Sequence, residues 1–195
     1  MDTARYYLAI ALLLALPYVI IAWSVIHPFA KFWRRIGGYF AWVLVWLVLG
    51  GIIITVNIHK KDLLAVDLGH NIFLVILSIV IWVVGLIFRL KYLKPLTFDI
   101  LIGNPEIFKD KYPGKLLTEG IYSKIRHPRY LQLFLVFLGF VMFANYLMPY
   151  IFLFVFSIGM FFVIILEERE LQDRFGTEYQ TYCSKVPYRL MPGVF

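Results

Sequence analysis

The chain has 195 residues, of which 62% are hydrophobic and only 16% are charged, and its mean hydropathy is +0.80. Soluble domains are about a quarter charged, so this composition excludes an ordinary soluble fold. The net charge of +7 does not require a nucleic-acid partner, because basic residues that flank membrane spans contact anionic lipid head groups. Cys183 is the single cysteine, and His27, His59, His70 and His127 lack the spacing of metal ligands. We therefore expect neither nucleic acid nor metal.

Uncharged runs of membrane-spanning length separate the charges into blocks. The first three runs, at residues 6–26, 36–58 and 71–88, are each long enough for one helix of about 20 residues. The fourth run, residues 130–166, is too long for one span, and Asn and Pro within residues 145–149 favour a turn in its middle. The sequence therefore predicts an all-α polytopic membrane protein with about five transmembrane helices, of which the fourth and fifth form a hairpin.

The distribution of Lys and Arg predicts the orientation of these helices, because basic residues accumulate in cytoplasmic loops. If the N-terminus is outside, sixteen of the 19 basic residues lie in cytoplasmic segments and three lie outside. We therefore expect the N-terminus outside and the C-terminus in the cytoplasm.

The chain carries no internal repeat or low-complexity linker, so we expect one domain over residues 1–195. Residues 1–90 form its three-helix N-terminal part. Residues 91–195 hold a basic cytoplasmic loop of about 40 residues, the hairpin and a C-terminal tail helix. The loop either folds against the membrane, which its apolar stretches favour, or is a mobile surface loop. The polar second half is where we expect the chemistry.

Charged residues flank both ends of the predicted hairpin at one membrane face. Arg126 and His127 precede its first helix, and Glu167 and Glu168 follow its second. Because packed helices lie about 8 to 10 Å apart, these groups can meet at the cytoplasmic interface. One interpretation is a set of ion pairs that only fixes the hairpin. The other is a zwitterion-binding pocket, because two adjacent carboxylates after an apolar run favour a bound cation.

The proline after His127 predicts where the hairpin begins. Pro128 disfavours helical backbone at His127 and suits the first turn of a helix. We expect the amides of Arg129, Tyr130 and Leu131 to be unpaired at this helix end, where they would suit a carboxylate or another anion. An ordinary interfacial histidine is the alternative for His127.

Aromatic residues of the tail have the spacing of one helical face. Phe175, Tyr179 and Tyr182 either cover an adenine ring or form an aromatic belt that docks the tail helix at the interface. Glu170 and Arg174, four residues apart, are expected to form an ion pair on the same helix.

Two segments of the second half resemble a known family. They are GIYSKIRHPRY at residues 120–130 and EExxLxxxFGxxYxxY at residues 167–182, followed by Val186-Pro187. Over residues 116–195 the chain resembles the isoprenylcysteine carboxyl methyltransferase and phospholipid methyltransferase superfamily. It departs from the pattern at Gln132 and in its YRLMP ending, which leaves the substrate open.

The resemblance implies an S-adenosylmethionine-dependent methyltransferase that methylates a lipophilic acceptor at the cytoplasmic membrane face, such as the carboxylate of an isoprenylcysteine. One of Arg126, Arg129 and Arg89 would orient an acceptor carboxylate. The residues that the resemblance, together with the hairpin-mouth pattern, assigns to cofactor binding are Gly120, Tyr122, Arg126, His127, Pro128, Tyr130, Leu131, Glu167, Glu168, Tyr179 and Tyr182.

Two alternatives stand beside the methyltransferase. The first is an NADPH-dependent membrane reductase, because sterol reductases share a related C-terminal half, and the second is a non-enzymatic membrane scaffold. The expected partners are the lipid bilayer and a lipophilic or lipidated substrate, while the oligomeric state stays open. A short member of this superfamily is expected in a prokaryotic inner membrane rather than in the endoplasmic reticulum.

Overall fold

The computed structural model describes residues 2–26, 28–92, 115–191 and 193, and every regular element in this part of the chain is a helix. One isolated antiparallel bridge joins Asp67 to Tyr146. A 3-10 turn (Gly120–Ser123) precedes the hairpin. The seven helices are α1 (Asp2–Ile26), α2 (Ala30–Ile36), α3 (Tyr39–Leu63), α4 (Ile72–Tyr92), α5 (Pro128–Ala144), α6 (Leu147–Phe175) and α7 (Thr177–Lys185). The predicted folding of the basic loop against the membrane concerns residues 93–114, which lie outside the described residues, as does His27.

Four of these helices, α1, α3, α4 and α6, are long and apolar enough to cross a bilayer. The fifth, α5, is apolar but has only 17 residues. Large hydrophobic side chains of α3 and α4 face outward, as expected for helices surrounded by lipid. The all-α polytopic prediction is therefore confirmed, and the protein is a multi-pass membrane protein.

The hairpin begins and turns where the sequence predicts. Pro128 occupies the first turn of α5, and Asn145 ends the helix with a left-handed backbone (φ 53°) before α6 starts at Leu147. One detail differs from prediction, because α6 continues for 29 residues through Glu167 and Glu168 to Phe175. The two glutamates therefore lie on a continuous helix that extends beyond the apolar segment.

The core lies between α1 and the hairpin. Buried residues of α1, such as Leu13 and Leu16, pack with Val141 of α5 and Ile164 of α6. Helix α5 makes its most extensive contacts with α4. That contact is close, because a Cβ at Gly139 of α5 would lie 2.9 Å from the Ser78 carbonyl oxygen of α4. The helix pair α4–α5 is consequently a rigid support for the segment that leads into the hairpin.

A buried arginine ties three segments together at the end of the bundle that carries the N-terminus. Arg5 is 2% exposed, and its Nε donates to the Ala144 carbonyl oxygen at 3.0 Å. The same guanidinium donates to the carboxylates of Asp2 and Asp67 and to the carbonyl of Asn145. Arg5 therefore joins α1 to the α3–α4 connection and to the turn of the hairpin.

Ion pairs join α2 to α6 at the opposite end. Lys31 lies 2.8 Å from Asp173, and Arg34 lies 3.2 Å from Glu170. Arg174 approaches Glu170 at 3.5 Å, which confirms the predicted i,i+4 pair, although it lies on α6 rather than on the tail helix. These contacts fix the connection between the first two long helices against the charged end of α6.

Candidate functional site

The segment that leads into α5 is held by backbone pairing with the C-terminal tail (residues 186–191). The amide of Arg126 donates to the Tyr188 carbonyl at 2.9 Å, and the amide of His127 donates to the Arg189 carbonyl at 2.8 Å. Arg126 Nη1 also donates to the carbonyls of Val186 and Pro187, at 2.8 and 2.9 Å. The tail therefore returns to the start of the hairpin and lies alongside it.

Glu168 lies at the centre of a charged cluster at this point. Its Oε1 accepts from Arg126 Nε at 2.9 Å and lies 3.1 Å from His127 Nε2, while its Oε2 accepts from Arg189 Nε at 2.8 Å. We call Glu168, Arg126, His127 and Arg189 the Glu168 cluster. Arg126 and Glu168 are mostly buried, so charge-assisted hydrogen bonds between them are stronger than those of a surface pair.

The hairpin thus brings together the four residues expected at its mouth. Glu167 lies 3.7 Å from His127 Nδ1 and completes the set. Two arginines and a histidine of the protein contact the Glu168 carboxylate, in the position where a ligand ammonium was expected. The ion-pair interpretation of this pattern therefore describes the observed contacts of Arg126, His127 and Glu168.

The helix N-terminus offers fewer free amides than expected. The amides of Tyr130 and Leu131 both donate to the His127 carbonyl, at 3.2 and 3.5 Å, because His127 accepts as the N-cap residue. The expectation that these two amides are unpaired is wrong. The start of α5 therefore carries little of the anion-binding capacity that the sequence suggested.

Tail aromatics pack beside the cluster. The Tyr182 hydroxyl donates to the Tyr122 carbonyl at 2.7 Å, which joins α7 to the 3-10 turn. Tyr179 and Tyr182 are buried with Leu116, and Phe175 packs against them from the end of α6. Burial raises the pKa of the Tyr179 and Tyr182 hydroxyls, so both stay neutral. These side chains share one apolar cluster, but a break at Gly176 separates Phe175 from the helix of the two tyrosines.

The remaining predicted residues are dispersed. Arg129 lies over the ring of Trp23 in α1, 4.1 Å from its centroid, and Tyr130 packs edge-on against the same indole. Arg89 is exposed on the last turn of α4. Gly120 and Leu131 line a cavity on the other side of α5. The predicted site residues therefore lie in the Glu168 cluster, the tail aromatic cluster, the Trp23 contact, this cavity and the exposed end of α4.

The cavity has a volume of about 700 Å³ and lies between α4, the 3-10 turn, α5 and the C-terminal tail. Two basic side chains, Lys91 and Lys124, are its polar lining residues, and they make no ion pair within the described residues. The backbone of Gly120 (φ 64°) also borders the cavity and is not covered by other atoms, because a Cβ built at this position would have no atom within 4 Å. The apolar lining residues are Phe88, Ile125, Leu131, Leu135, Leu190 and Met191.

Close packing of α4 and α5 limits the cavity on its membrane side. A Cβ at Gly85 would lie 2.8 Å from Val136 Cγ2, so the two helices nearly touch one turn below Phe88. The sequence did not predict this cavity. The cavity forms where α4 and α5 diverge and where the tail pairs with a segment about 60 residues earlier in the chain. The glycines at 85 and 139 were the available signal, since small residues permit close helix contact.

Comparison with known proteins gives a family match. The sequence profile described as "Ergosterol biosynthesis ERG4/ERG24 family" matches residues 88–195. "Delta(14)-sterol reductase TM7SF2" of Mus musculus is 30% identical over 89 residues, which are 42% of this chain and 20% of that protein. "7-dehydrocholesterol reductase" of Danio rerio is 27% identical over 86 residues, 43% of this chain and 18% of the relative. The protein of the same name from Xenopus laevis is 28% identical over 87 residues, which are 44% of this chain and 18% of that protein. No solved structure matches.

These matches correct several predictions. The resemblance to the isoprenylcysteine carboxyl methyltransferase superfamily is wrong, and so are methyl transfer, the assignment as a methyltransferase and S-adenosylmethionine as the cofactor. The two segments on which the resemblance rested are short, and the structure shows that their charged residues pair with one another. The matches support the reductase alternative. Relatives from mouse, zebrafish and frog also weigh against a prokaryotic inner membrane.

Proposed function

Because the chain belongs to the ergosterol biosynthesis ERG4/ERG24 family, we propose that it is an NADPH-dependent membrane reductase that reduces a carbon–carbon double bond of a lipophilic substrate. The main support for this proposal is the location of the cavity in the chain. Every described residue that lines the cavity falls within the matched segment, residues 88–195. The chain spans about a fifth of the length of the relatives it matches, so their names alone do not fix its substrate.

The described residues of the cavity fit a nicotinamide cofactor. Lys91 and Lys124 would hold its phosphates, because ammonium groups that form no ion pair with any described residue attract phosphate oxygens. The bare backbone at Gly120 would allow close approach of a phosphate or ribose. The Glu168 cluster is a poorer place for this polyanion, because its two arginines already bind a carboxylate.

The residues of the chain have defined tasks in such a reaction. The apolar walls, from Phe88 to Met191, bind the lipophilic substrate and exclude water from the reacting carbons. Bound NADPH supplies a hydride, and a proton must reach the neighbouring carbon to complete the reduction.

The proposal includes a membrane orientation. With the N-terminus outside and the C-terminus in the cytoplasm, the cavity opens to the compartment that holds soluble NADPH. Protease is added to sealed vesicles whose outer surface is the cytoplasmic face of the membrane, and cleavage of a C-terminal tag is measured. Cleavage from the cytoplasmic side supports this orientation, and protection on that side contradicts it.

Binding and turnover test the function. The purified protein in lipid nanodiscs is titrated with NADPH by calorimetry, and oxidation of NADPH is then followed with sterol dienes and unsaturated lipids. We expect saturable binding that weakens about tenfold for Lys124→Gln, which corresponds to about 1.4 kcal/mol. Lys115→Gln is the matched control, because Lys115 is exposed but does not line the cavity. Absence of NADPH binding to the folded protein contradicts the proposal.

A further inference from the structure

The short helix α2 connects the first two long helices at the end of the bundle opposite the N-terminus, and much of its surface is exposed. We propose that α2 binds one anionic phospholipid, whose phosphate pairs with Arg35 and whose acyl chains lie on the exposed apolar residues beside it. None of the described residues that line the cavity lies on α2, so this inference does not depend on the reductase function.

Trp33 anchors α2 to the bundle. Its side chain is buried with Ile26 of α1 and Ala41 of α3, and its indole Nε1 donates to the Val25 carbonyl oxygen at 2.7 Å. A buried indole with its N–H satisfied holds a short helix at a defined rotation. The residues on the other sides of α2 are therefore presented to the surroundings of the protein.

Exposed apolar side chains continue in sequence from α2 into α3. Phe29, Phe32, Ile36, Tyr39 and Phe40 are between 40% and 75% exposed. Helix α3 is long and apolar enough to cross a bilayer, so these side chains lie where a membrane span meets the polar surface. Aromatic and aliphatic groups in this position pack at the boundary between head groups and acyl chains. This surface therefore fits the upper part of the acyl chains of a phospholipid.

Arg35 supplies the cation beside this apolar surface. It is exposed and forms no ion pair with a described residue. The other two basic residues of α2 are Lys31 and Arg34, and both pair with carboxylates of α6. A guanidinium group binds phosphate oxygens through two parallel hydrogen bonds. An anionic head group is favoured over a zwitterionic one, because the ammonium of a zwitterion offsets the attraction of its phosphate to Arg35.

The surroundings of Arg35 suit a lipid better than a soluble polyanion. Nucleic acid needs several cations to neutralise its phosphates, whereas the described residues of α2 offer one cation that no carboxylate neutralises. The orientation proposed above also places α2 in the cytoplasmic leaflet, where anionic phospholipids produce a negative surface potential. The two ion pairs to α6, at 2.8 and 3.2 Å, hold the site in a fixed position on the bundle.

Lipid titration followed by native mass spectrometry tests the site. The protein in detergent micelles is titrated with phosphatidylglycerol and with phosphatidylcholine that carries the same acyl chains. We expect tighter binding of phosphatidylglycerol, and binding about fivefold weaker in Arg35→Gln, which is the effect of one basic residue at an anionic membrane surface. Lys185→Gln is the matched control, because Lys185 is exposed beside the exposed polar residues Thr181 and Ser184. This control should bind both lipids as wild type does.

A second variant separates the apolar contact from the charge. Phe32→Ser removes an exposed ring and leaves Arg35 in place. It should therefore weaken the binding of both lipids by the same factor and leave the preference for phosphatidylglycerol unchanged. Loss of the preference in Phe32→Ser, or an unchanged preference in Arg35→Gln, would overturn the inference.

A photoreactive phosphatidylglycerol, with a diazirine near its head group, locates the bound lipid. Crosslinked peptides should include the one that contains α2 in wild type and in Lys185→Gln, and this crosslink should be lost in Arg35→Gln. Crosslinks confined to other peptides would contradict the proposed site. Equal competition by soluble glycerol phosphate would also contradict it, because the site would then bind a free anion rather than a lipid. These measurements need no NADPH, so failure of the reductase assays leaves them interpretable.

Discussion

Substitution of Glu168 by glutamine tests whether the charged cluster holds the C-terminal tail in place. Glu168 accepts hydrogen bonds from Arg126 and Arg189, and both arginines belong to the two segments whose backbones pair. Glutamine preserves the shape of the side chain but removes its charge. Two guanidinium groups then lose their common carboxylate partner, at a point where the tail contributes Leu190 to the cavity wall.

The magnitude follows from burial. The side chains of Arg126 and Glu168 are 8% and 13% exposed, and breaking such a buried pair costs about 3–5 kcal/mol. Arg189 is 33% exposed, so its pair adds about 0.5 kcal/mol at most. We expect Glu168→Gln to lower the free energy of unfolding by about 3 kcal/mol. Amide exchange of Arg126 and His127 should also accelerate, because their acceptors lie on the released tail.

Unfolding in mixed detergent micelles and hydrogen exchange measured by mass spectrometry provide the two readouts. Glu178→Gln is the matched control, because Glu178 is exposed on α7 and makes no ion pair within the described residues. The control should differ from wild type by less than about 0.5 kcal/mol. If Glu168→Gln were equally neutral, with unchanged exchange at residues 126 and 127, the cluster would not hold the tail.

Three further predictions concern other parts of the bundle. Arg5→Met should lower the free energy of unfolding by about 3 kcal/mol, because it removes a buried donor from the carbonyls of Ala144 and Asn145 and from two more exposed carboxylates. A loss below about 1 kcal/mol in micelle unfolding would contradict this. Burial raises the pKa of Asp67, but hydrogen bonds from the Gly69 amide and the Arg5 guanidinium outweigh it, and the pKa lies below its usual value. The stability that Asp67 contributes is thus present above its unfolded-state pKa and is lost as the pH falls through the lower folded-state pKa. The melting temperature should therefore fall at acid pH, and Asp67→Asn should remove this part of the fall. Gly85→Ala should cost about 1–3 kcal/mol of unfolding free energy by overpacking against α5, whereas Gly50→Ala, which meets no atom within 4 Å, should be neutral or slightly stabilising.

Much of the fold follows from local signals in the sequence. Uncharged runs locate the long helices, Pro128 fixes the start of α5, and Asn145 supplies the left-handed residue at the hairpin turn. The approach of His127 to Glu168 also follows, because a hairpin must return its two ends to one membrane face. These features depend on helix geometry and short-range chemistry, which periodicity and residue type express directly.

Other features depend on long-range contacts that no local pattern expresses. The pairing of the tail with Arg126 joins residues about 60 positions apart, and the cavity exists only where α4 and α5 diverge. Arg5 appears in sequence as one basic residue at a helix end, yet it is the buried link between three segments. The family assignment failed because it rested on two short segments, at residues 120–130 and 167–182, in a C-terminal half to which that of the sterol reductases is related.

Two statements remain predictions: that residues 1–195 form one domain, and that the cavity and the Glu168 cluster have different roles. The second of these makes the Glu168 cluster a support for the cavity wall and gives Lys91 and Lys124 the binding of the cofactor phosphates. Parallel measurements on Glu168→Gln and Lys124→Gln distinguish the two roles. The first variant should lose stability and NADPH affinity together, and the second should lose affinity alone.

The most direct test of the reductase function follows the hydride itself. The protein in nanodiscs is incubated with NADPH that carries deuterium at the reducing position of the nicotinamide, together with a panel of steroid enones, sterol dienes and unsaturated lipids. Mass spectrometry of the extracted lipids should reveal one deuterium on carbon in a product with one double bond fewer, and Lys91→Met/Lys124→Met should abolish it. A folded protein that binds the labelled cofactor but transfers no deuterium to any lipid in the panel would contradict the account.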